Sequence, residues 1–536
     1  MFEDFNFSKE DISLAKSFFD EADALLQASI ADPESGLGKK LDEEGQIGIN
    51  YISDAMVSEI TLDSNGDEVP KKRPVIDLVQ QGGGMWGIAL LGYCYILEKV
   101  GIRFFSHGGT SAGAINALFL SSIPAGIYKL PPYVRKETAN SSLKSELLTL
   151  MVSKMDFSAF IDSKGIAQWF QLKLFKSVRS GRLQLLIGLS LVLILSLVYF
   201  ILSVTLVEYG MTTIQDVSYF SFVIGTFNTI ALVLLIYILI TKKLGERFGL
   251  NTGDKFLDWV KGNLEILGIQ TTEDLYANLG KTNLIREKNT PDKEGAMIYT
   301  VQNPVTEKGN TTKKTPRVKS KHPELVFITA NLTHHRIVRF PARAGDYWEN
   351  HMKVHPAAYV RASMSLPFIF ETFVPNNDTH FSIKEPANKV KFEVRMVDGG
   401  MLSNFPIRDF HRSDGKSPSF PTFGILLSER PKIASQKHMQ GKKNTLARFI
   451  SSFISTFRNF YDNDYLLNQE EINMLIETVN TLQEGSKNTH INWLDFGMSN
   501  DDKKLLFKRG AEAAIKQLVK FDWETYRGIR QKTVTR

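Results

Sequence analysis

One serine in a glycine-rich turn constrains the fold of this chain more than any other feature. Gly109, Ser111 and Gly113 form a G-x-S-x-G pattern between an apolar, strand-like stretch at 102–106 and an apolar, helix-like stretch at 114–120. The glycines permit a turn too tight for side chains, which holds the serine in strained backbone geometry. The amides that open the helix favour negative charge beside that serine. This context predicts a nucleophile elbow, and with it an alternation of strands and helices.

A second glycine-rich turn lies upstream, between a strand-like stretch at 74–80 and an apolar helix at 88–100. Its glycines are Gly82, Gly83, Gly84 and Gly87. Such turns expose backbone N–H groups to an anion. The short fingerprint G-x-G-x-x-G also fits, so a nucleotide phosphate is one interpretation. Because a serine elbow follows on the next strand, an oxyanion hole is the favoured one.

The third element is an aspartate far downstream. Asp398, Gly399 and Gly400 follow an apolar-alternating stretch at 390–397. A carboxylate at the end of a strand lies at the rim where open α/β sheets place their chemistry. Asp398 is therefore predicted to be a carboxylate held at the rim where the chemistry of such a sheet takes place.

These three motifs, in this order, resemble the patatin-like phospholipases. The resemblance implies that residues 82–87 form the oxyanion loop, that Ser111 is the nucleophile and that Asp398 is the catalytic aspartate. Stretches at 325–340, 360–374 and 402–407 are also similar to the family. The implied fold is a three-layer α/β/α sandwich with a mostly parallel central sheet.

One residue departs from the family pattern. Trp86 stands where many members carry Arg or Lys, so that positive charge is not available for recognition of a lipid headgroup.

Histidine is the usual partner of a catalytic serine, and four histidines are alternatives to Asp398. They are His107, His334, His335 and His411. Of these, His411 suits the Ser, Asp, His order of α/β hydrolases. The Asp-Gly-Gly motif stands where the resemblance places the aspartate of a two-residue catalytic dyad, and no hydrolase-type context surrounds the histidines. The expected activity is ester hydrolysis through an acyl-enzyme, and an acyltransferase with the same dyad is the alternative.

Composition and net charge limit the classes of binding partner that are expected. The net charge is +6, with no basic-aromatic repeat, so nucleic acid is not expected and an anionic membrane surface is the favoured partner. Cys94 is the single cysteine, so the chain forms no internal disulfide. No metal or cofactor is expected, and the motifs carry no information on oligomeric state, acyl chain or headgroup.

Two uncharged runs, 183–207 and 217–241, follow the elbow region. Each is long enough to cross a hydrocarbon core of about 30 Å, so they predict a transmembrane hairpin. Basic residues flank the pair on the outside, and the connecting turn at 208–216 carries only acidic charge. The catalytic part is therefore predicted on the cytoplasmic side, most simply of the cytoplasmic membrane.

These features divide the chain into five parts. They are an N-terminal helix and linker (1–72), the first part of the catalytic domain (73–180), the hairpin (181–247), the second part of the catalytic domain (248–435) and a C-terminal helical region (436–536). An intramembrane serine protease is excluded because Ser111 lies outside both runs. A non-catalytic lipid-binding membrane protein is a further alternative, which the three intact motifs disfavour.

Overall fold

A computed structural model gives the fold. The structure describes residues 5–62, 67–124, 143–162, 247–280, 323–375, 394–411, 418–428, 472–481 and 491–534. It also describes shorter pieces at 128–129, 140–141, 168, 171, 198, 205, 208–209, 284–286, 297–299, 461–462 and 465–466.

Fourteen strands occur in the described part of the chain. In order they are β1 (Ala55–Leu62), β2 (Glu68–Gln80), β3 (Arg103–Thr110), β4 (Tyr128–Lys129), β5 (Asn140–Ser141), β6 (Gly249–Asn251), β7 (Leu284–Arg286), β8 (Met297–Tyr299), β9 (Leu325–Asn331), β10 (Arg336–Pro341), β11 (Phe368–Phe370), β12 (Met396–Asp398), β13 (Thr422–Ser428) and β14 (Ile476–Asn480).

The helices of the same residues alternate with these strands. They are α1 (Lys9–Ala31), α2 (Ile88–Lys99), α3 (Ala112–Ser122), α4 (Lys144–Ser153), α5 (Asp254–Ile266), α6 (Thr272–Leu279), α7 (Ala357–Ser363), α8 (Ile407–Phe410), α9 (Ile472–Leu475), α10 (Asn500–Lys520) and α11 (Trp523–Val534).

Ten of these strands form one sheet with a parallel centre. The strands β14, β13, β2, β3 and β9 lie side by side, and each neighbouring pair is parallel. Antiparallel strands extend the margins, with β10 and β12 on β9 and with β1, β7 and β8 beyond β2. The expected α/β class with a mostly parallel central sheet is confirmed. Parallel strands are buried on both faces, which accounts for the apolar runs that reveal β2 and β9 in the sequence.

Helices lie on both faces of the sheet at β3. A side chain on Gly109 would collide with the backbone of Gly113 at the start of α3, and one on Gly108 would collide with the ring of Phe410 in α8. Since successive residues of a strand point to opposite faces, α3 and α8 cover opposite sides of β3. The glycines at 108 and 109 allow both layers to approach the strand closely.

The longest C-terminal helix, α10, packs against α2 with the two backbones in contact. A side chain on Gly92 would collide with the carbonyl of Phe507, and one on Gly510 with the carbonyl of Ala89. Phe18 and Phe19 of α1 add aromatic contacts to Phe507. The three helices therefore form a layer that fixes α2, the helix that follows the first glycine-rich loop.

The structure differs from the sequence interpretation between 31 and 72. Its polar sequence predicts a linker, but β1 and the first residues of β2 form an antiparallel pair there, with Met56 opposite Pro74. The exposed half of β2, Glu68–Lys72, is charged, and its buried half begins at Arg73. Strands that project from the core edge lack the apolar period by which strands are recognised.

The predicted transmembrane hairpin falls almost entirely on residues outside the described ranges. Within 183–207 only Val198 and Thr205 are described, and none of 217–241 is. Among the residues that the structure does describe, no helix is both long enough and apolar enough to cross a membrane.

Candidate active site

Ser111 lies at the turn between β3 and α3 in a strained conformation. Its φ of 53° and ψ of −119° lie outside the regions that most residues adopt. A side chain on Gly113 would collide with the carbonyl of Gln80 at the end of β2, so the glycine lets α3 start directly against the neighbouring strand. Ser111 is 6% exposed. The geometry is that of the elbow predicted from G-x-S-x-G, with the serine at the carboxyl end of β3.

Asp398 lies at the end of β12, a strand that runs towards the Ser111 turn in the direction opposite to β3. Thr110 pairs with Ile328 of β9, and Asp398 pairs with the next residue, Thr329. Because β10 occupies the other edge of β9, β3 and β12 share one edge, and their carboxyl ends point at each other. Adjacent register positions are about 3.3 Å apart along a strand. Ser111 and Asp398 are thus the residues at two strand ends that meet head to head.

The carboxylate of Asp398 is held by its own turn. The Gly400 N–H donates to Oδ1 of Asp398 at 2.7 Å, and the Asp398 N–H donates to the carbonyl of Ser365 at 2.8 Å. A side chain on Gly399 would collide with the carbonyl of Ile328, so this turn needs glycine to pass β9. Asp398 is 2% exposed, so its carboxylate is shielded from water.

The glycine-rich loop at 82–87 lies beside the serine and is fastened from two sides. Asn404 accepts the Gly82 N–H at 3.1 Å through its backbone carbonyl and donates from Nδ2 to the Gly82 carbonyl at 2.9 Å. On the other side, Trp86 donates from its indole nitrogen to the carbonyl of Ile491 at 2.9 Å. Since the Gly82 amide is engaged, the amides of Gly83 and Gly84 are the better candidates for an oxyanion hole. Gly84 and Gly87 line the same cavity as Ser111.

Asp462 supports the glycine-rich loop indirectly, through the segment 403–405. Its carboxylate accepts bonds from the Ser403 hydroxyl (2.7 Å), the Asn404 N–H (2.6 Å) and the Phe405 N–H (2.9 Å). Burial raises the pKa of Asp462 to about 6, although these three donors act in the opposite direction. The chain from Asp462 through Asn404 to Gly82 couples the loop after Asp398 to the loop before α2.

Ser363 connects the nucleophile to the sheet. The N–H of Ser111 donates to Oγ of Ser363 at 2.9 Å, and that hydroxyl donates to the carbonyl of Ile328 at 2.6 Å. Both bonds are buried, so the hydroxyl has a single orientation that satisfies them. Two residues on, the carbonyl of Ser365 accepts the Asp398 N–H. The end of α7 therefore contacts both candidate catalytic residues.

The sequence motifs do not reveal the contributions of Ser363, Asn404 and Asp462. The first two fall within the family-like stretches 360–374 and 402–407, which was the available signal. Asp462 had no signal, because its partners lie 57 to 59 positions away in the chain.

A cavity of about 750 Å³, its open mouth included, extends from Ser111 between the helices. Its walls come from the elbow, α2, α3, α4, α5 and the 493–496 segment. Among the described residues of this wall, Ser111 and Asn116 have polar side chains. The others are glycine, aliphatic or aromatic: Gly84, Met85, Gly87, Ile88, Leu91, Ala112, Ile115, Leu148, Val152, Met155, Phe157, Phe160, Phe256, Met364, Leu366, Phe370, Trp493, Leu494 and Phe496. Such a wall suits a hydrocarbon chain whose reactive end lies at the serine.

The histidines have other partners or places. Nδ1 of His411 lies 2.7 Å from the Tyr465 hydroxyl, and its Nε2 lies 3.3 Å from a guanidinium nitrogen of Arg530. Both ring nitrogens of His411 therefore lie beside partners other than Ser111 and Asp398. His107 is buried in β3, where burial lowers its pKa to about 3. His334 lies in the β9–β10 turn beside the side chain of Asn331. His335 follows it there with a φ of 50°.

No group of three or more metal-binding side chains occurs among the described residues.

The model of the patatin-like phospholipase family matches residues 78–411, more than half of the chain. The chain belongs to the patatin-like phospholipase family. The match begins in β2, before the glycine-rich loop, and ends at His411, after the Asp-Gly-Gly turn, so all three motifs of this patatin-like protein lie within it.

Two similar proteins add context. The uncharacterized protein YqhO of Bacillus subtilis (strain 168) is 22% identical over 445 residues, covering 82% of this chain and 98% of YqhO. The crystal structure of VipD from Legionella pneumophila matches with a TM-score of 0.31 and 15% identity, covering 86% of this chain and 70% of VipD. The second similarity is too weak to bear on the arrangement of the site.

Proposed function

We propose that this patatin-like protein is a membrane-anchored serine hydrolase that cleaves carboxylic esters of phospholipids or related lipids. The observation that carries the proposal is the head-to-head meeting of β3 and β12 at β9, which places the Ser111 turn and Asp398 at adjacent register positions. The apolar cavity that opens beside Ser111 supports an acyl chain as the group bound there.

The proposed reaction has two halves. The hydroxyl oxygen of Ser111 attacks the ester carbonyl while Asp398 takes its proton, and the Gly83 and Gly84 amides stabilise the oxyanion. The C–O bond of the ester then breaks, and the departing alcohol receives the proton from Asp398. In the second half Asp398 takes a proton from water as that water attacks the carbonyl of the acyl-serine. The bond between the acyl carbon and Oγ of Ser111 then breaks, Asp398 returns the proton to Oγ, and the fatty acid leaves.

Asp398 is an effective base in this scheme only because of its position. An ordinary carboxylate, with a pKa near 4, is a weak base at neutral pH. Ser111 and Asp398 are both buried, so a charge there is poorly shielded by water and proton transfer over a short distance is favoured. The dyad therefore depends on exclusion of water from the site more than on the basicity of Asp398.

The membrane part of the proposal comes from the sequence. We place the uncharged runs 183–207 and 217–241 across the bilayer, with the basic flanks and the catalytic domain on the cytoplasmic side. The runs occur in the chain between Ser111 and Asp398, so anchoring would hold the site within reach of the leaflet.

The dyad is tested by Ser111→Ala and Asp398→Asn in the full-length protein. Turnover of a fluorogenic ester should fall at least a thousandfold in each, and fluorophosphonate labelling should be lost in Ser111→Ala. Matched controls are Ser58→Ala and Asp501→Asn, which replace the same residue types at exposed positions. Near-normal turnover by Asp398→Asn would reject the dyad. Retention of turnover by Ser111→Ala would reject Ser111 as the nucleophile, and absence of turnover in the wild type would leave the lipid-binding alternative.

A further inference from the structure

Two phenylalanines lie exposed near the candidate active site. Phe368 is 65% exposed and Phe248 54%. Strands β6 and β11 pair in parallel with Phe368 opposite Gly249, so the two phenylalanines are neighbours at one end of this ribbon. Their φ values are 69° and 56°, a region that bulky side chains rarely adopt. Strain of this kind, at rings that lie mostly outside the core, is a feature that function often explains.

The ribbon is fixed to the cavity wall. Arg361 is 4% exposed and donates from one guanidinium nitrogen to the carbonyls of Thr252 and Glu371, which follow the two strands. Phe370, two residues after Phe368, is 1% exposed and lines the cavity. The ribbon that carries the exposed rings is therefore fixed by the buried guanidinium of Arg361, and Phe370 of the same ribbon forms part of the cavity wall.

The rings lie at the same edge of the sheet as Ser111. Strand β9 continues for three residues beyond Ile328, the partner of Thr110, which is about 10 Å in the strand direction. Just past its end, the N–H of Leu332 donates to the carbonyl of Arg395 at 2.9 Å. The Arg395 guanidinium in turn lies 5.4 Å from the ring centroid of Phe248. Leu332 is itself 48% exposed and extends the apolar surface.

Arginines border these rings. The side chain of Arg247 is 48% exposed, with one guanidinium nitrogen 4.0 Å from Glu371, and Arg395 lies against Phe248. Exposed apolar clusters mark interaction sites, and aromatic rings next to arginine suit the boundary between water and anionic lipid. We name Arg247, Phe248, Phe368 and Arg395 the aromatic rim.

The preceding chain indicates which partner this surface meets. The uncharged run 217–241 ends seven residues before Phe248, and the intervening residues include Lys242 and Lys243. Seven residues span at most about 25 Å. A run that crosses the bilayer would therefore keep the aromatic rim within that distance of the membrane surface.

We propose that the aromatic rim is the bilayer-docking surface of this protein, with both phenyl rings in the headgroup region of an anionic leaflet. A phospholipid then passes from the leaflet to the cavity along the β6–β11 ribbon. This inference rests on the proposed function, since it assigns a membrane partner to the same site.

Depth in the bilayer is measured first, because it does not depend on catalysis. The full-length protein carrying Cys94→Ser and Phe368→Cys is labelled with an environment-sensitive fluorophore and reconstituted into vesicles of phosphatidylglycerol and phosphatidylcholine. Brominated lipids should quench the label at 368 several-fold more than a label at Tyr51→Cys, a residue 40% exposed. The same quenching is expected when Ser111→Ala is added. Equal quenching at both positions, or a blue-shifted label that bromine does not quench, would reject the docking surface.

Selectivity is measured second. The ratio of vesicle turnover to soluble-ester turnover should fall at least tenfold in Phe248→Ser/Phe368→Ser and should stay unchanged in Tyr51→Ser. Arg395→Gln should lower the preference for phosphatidylglycerol over pure phosphatidylcholine vesicles at least threefold. An unchanged ratio in the double variant would overturn the inference. The proposed function would fail on a different result, in which Ser111→Ala retains both vesicle turnover and soluble-ester turnover.

Discussion

At the scale of single residues, Ser363 sets the conformation of the nucleophile. Ser363→Ala removes the acceptor of the Ser111 N–H and leaves that amide unpaired in a buried site. We expect kcat for a soluble ester to fall about tenfold or more with little change in KM, since an unpaired amide of this kind costs about 1–3 kcal/mol. Ser363→Thr, which keeps the hydroxyl, should restore most of the rate. A rise in KM alone would mean that Ser363 binds substrate instead.

A second residue-scale prediction concerns pH. The pKa of Asp462 is raised to about 6 by burial, and its ionised form accepts three hydrogen bonds from residues 403–405. Below pH 6 the carboxyl is protonated, its hold on Asn404 and Gly82 weakens, and turnover should fall. Asp462→Asn should therefore have a lower plateau rate and should lack this step in its pH–rate profile. An unchanged acid limb would assign the step to another group.

The stability effect of Asp462 has the opposite sign. A carboxyl whose folded pKa lies above its unfolded value of 3.8 favours folding most at low pH, and this contribution is lost as pH rises from about 4 to about 6. Asp462→Asn removes the charge, so its free energy of unfolding should depend less on pH across that window. Denaturant unfolding at pH 4 and pH 7 measures this directly.

At the scale of elements, α4 forms a wall of the cavity without carrying any proposed catalytic group. Leu148 of α4 is 1% exposed and lines the space beside Ser111. Leu148→Trp adds volume there, so turnover of long-chain esters should fall at least tenfold relative to butyrate esters. The overpacking costs about 1–3 kcal/mol of stability. Leu14→Trp on α1, outside the cavity, is the control, and an equal loss on both ester lengths would show damage to the fold rather than to chain binding.

At the scale of the whole molecule, the chain is predicted to enter and leave the membrane between its two proposed catalytic residues. A cysteine placed at Gly210, in a Cys94→Ser background, should react with an impermeant thiol reagent added outside intact cells. A cysteine at Lys313 should not react, because the basic flanks of the two runs are predicted to face the cytoplasm. Labelling at 313 would reverse the orientation, and extraction of the protein by alkaline carbonate would reject the anchor.

Local chemistry made much of the site predictable from sequence. A strand, a tight turn and a helix impose steric demands within a few residues, so Gly109, Ser111 and Gly113 identify the elbow, and the loop at 82–87 is identified in the same way. Most helices and buried strands follow from their apolar period for the same reason. The antiparallel pair of β1 with β2 is not predicted from the sequence, because the outer part of β2 is charged.

Only the tertiary structure decided which distant residues meet. The register of β9 brings Thr110 and Asp398 to adjacent positions, and hydrogen bonds add Ser363, Asn404 and Asp462 to the site. The tertiary structure also shows that His411 contacts Tyr465 and Arg530, which a Ser, Asp, His order in the sequence does not reveal. The physical reason is that turns and helices depend on neighbouring residues, whereas strand pairing and buried hydrogen bonds depend on the packing of the whole chain.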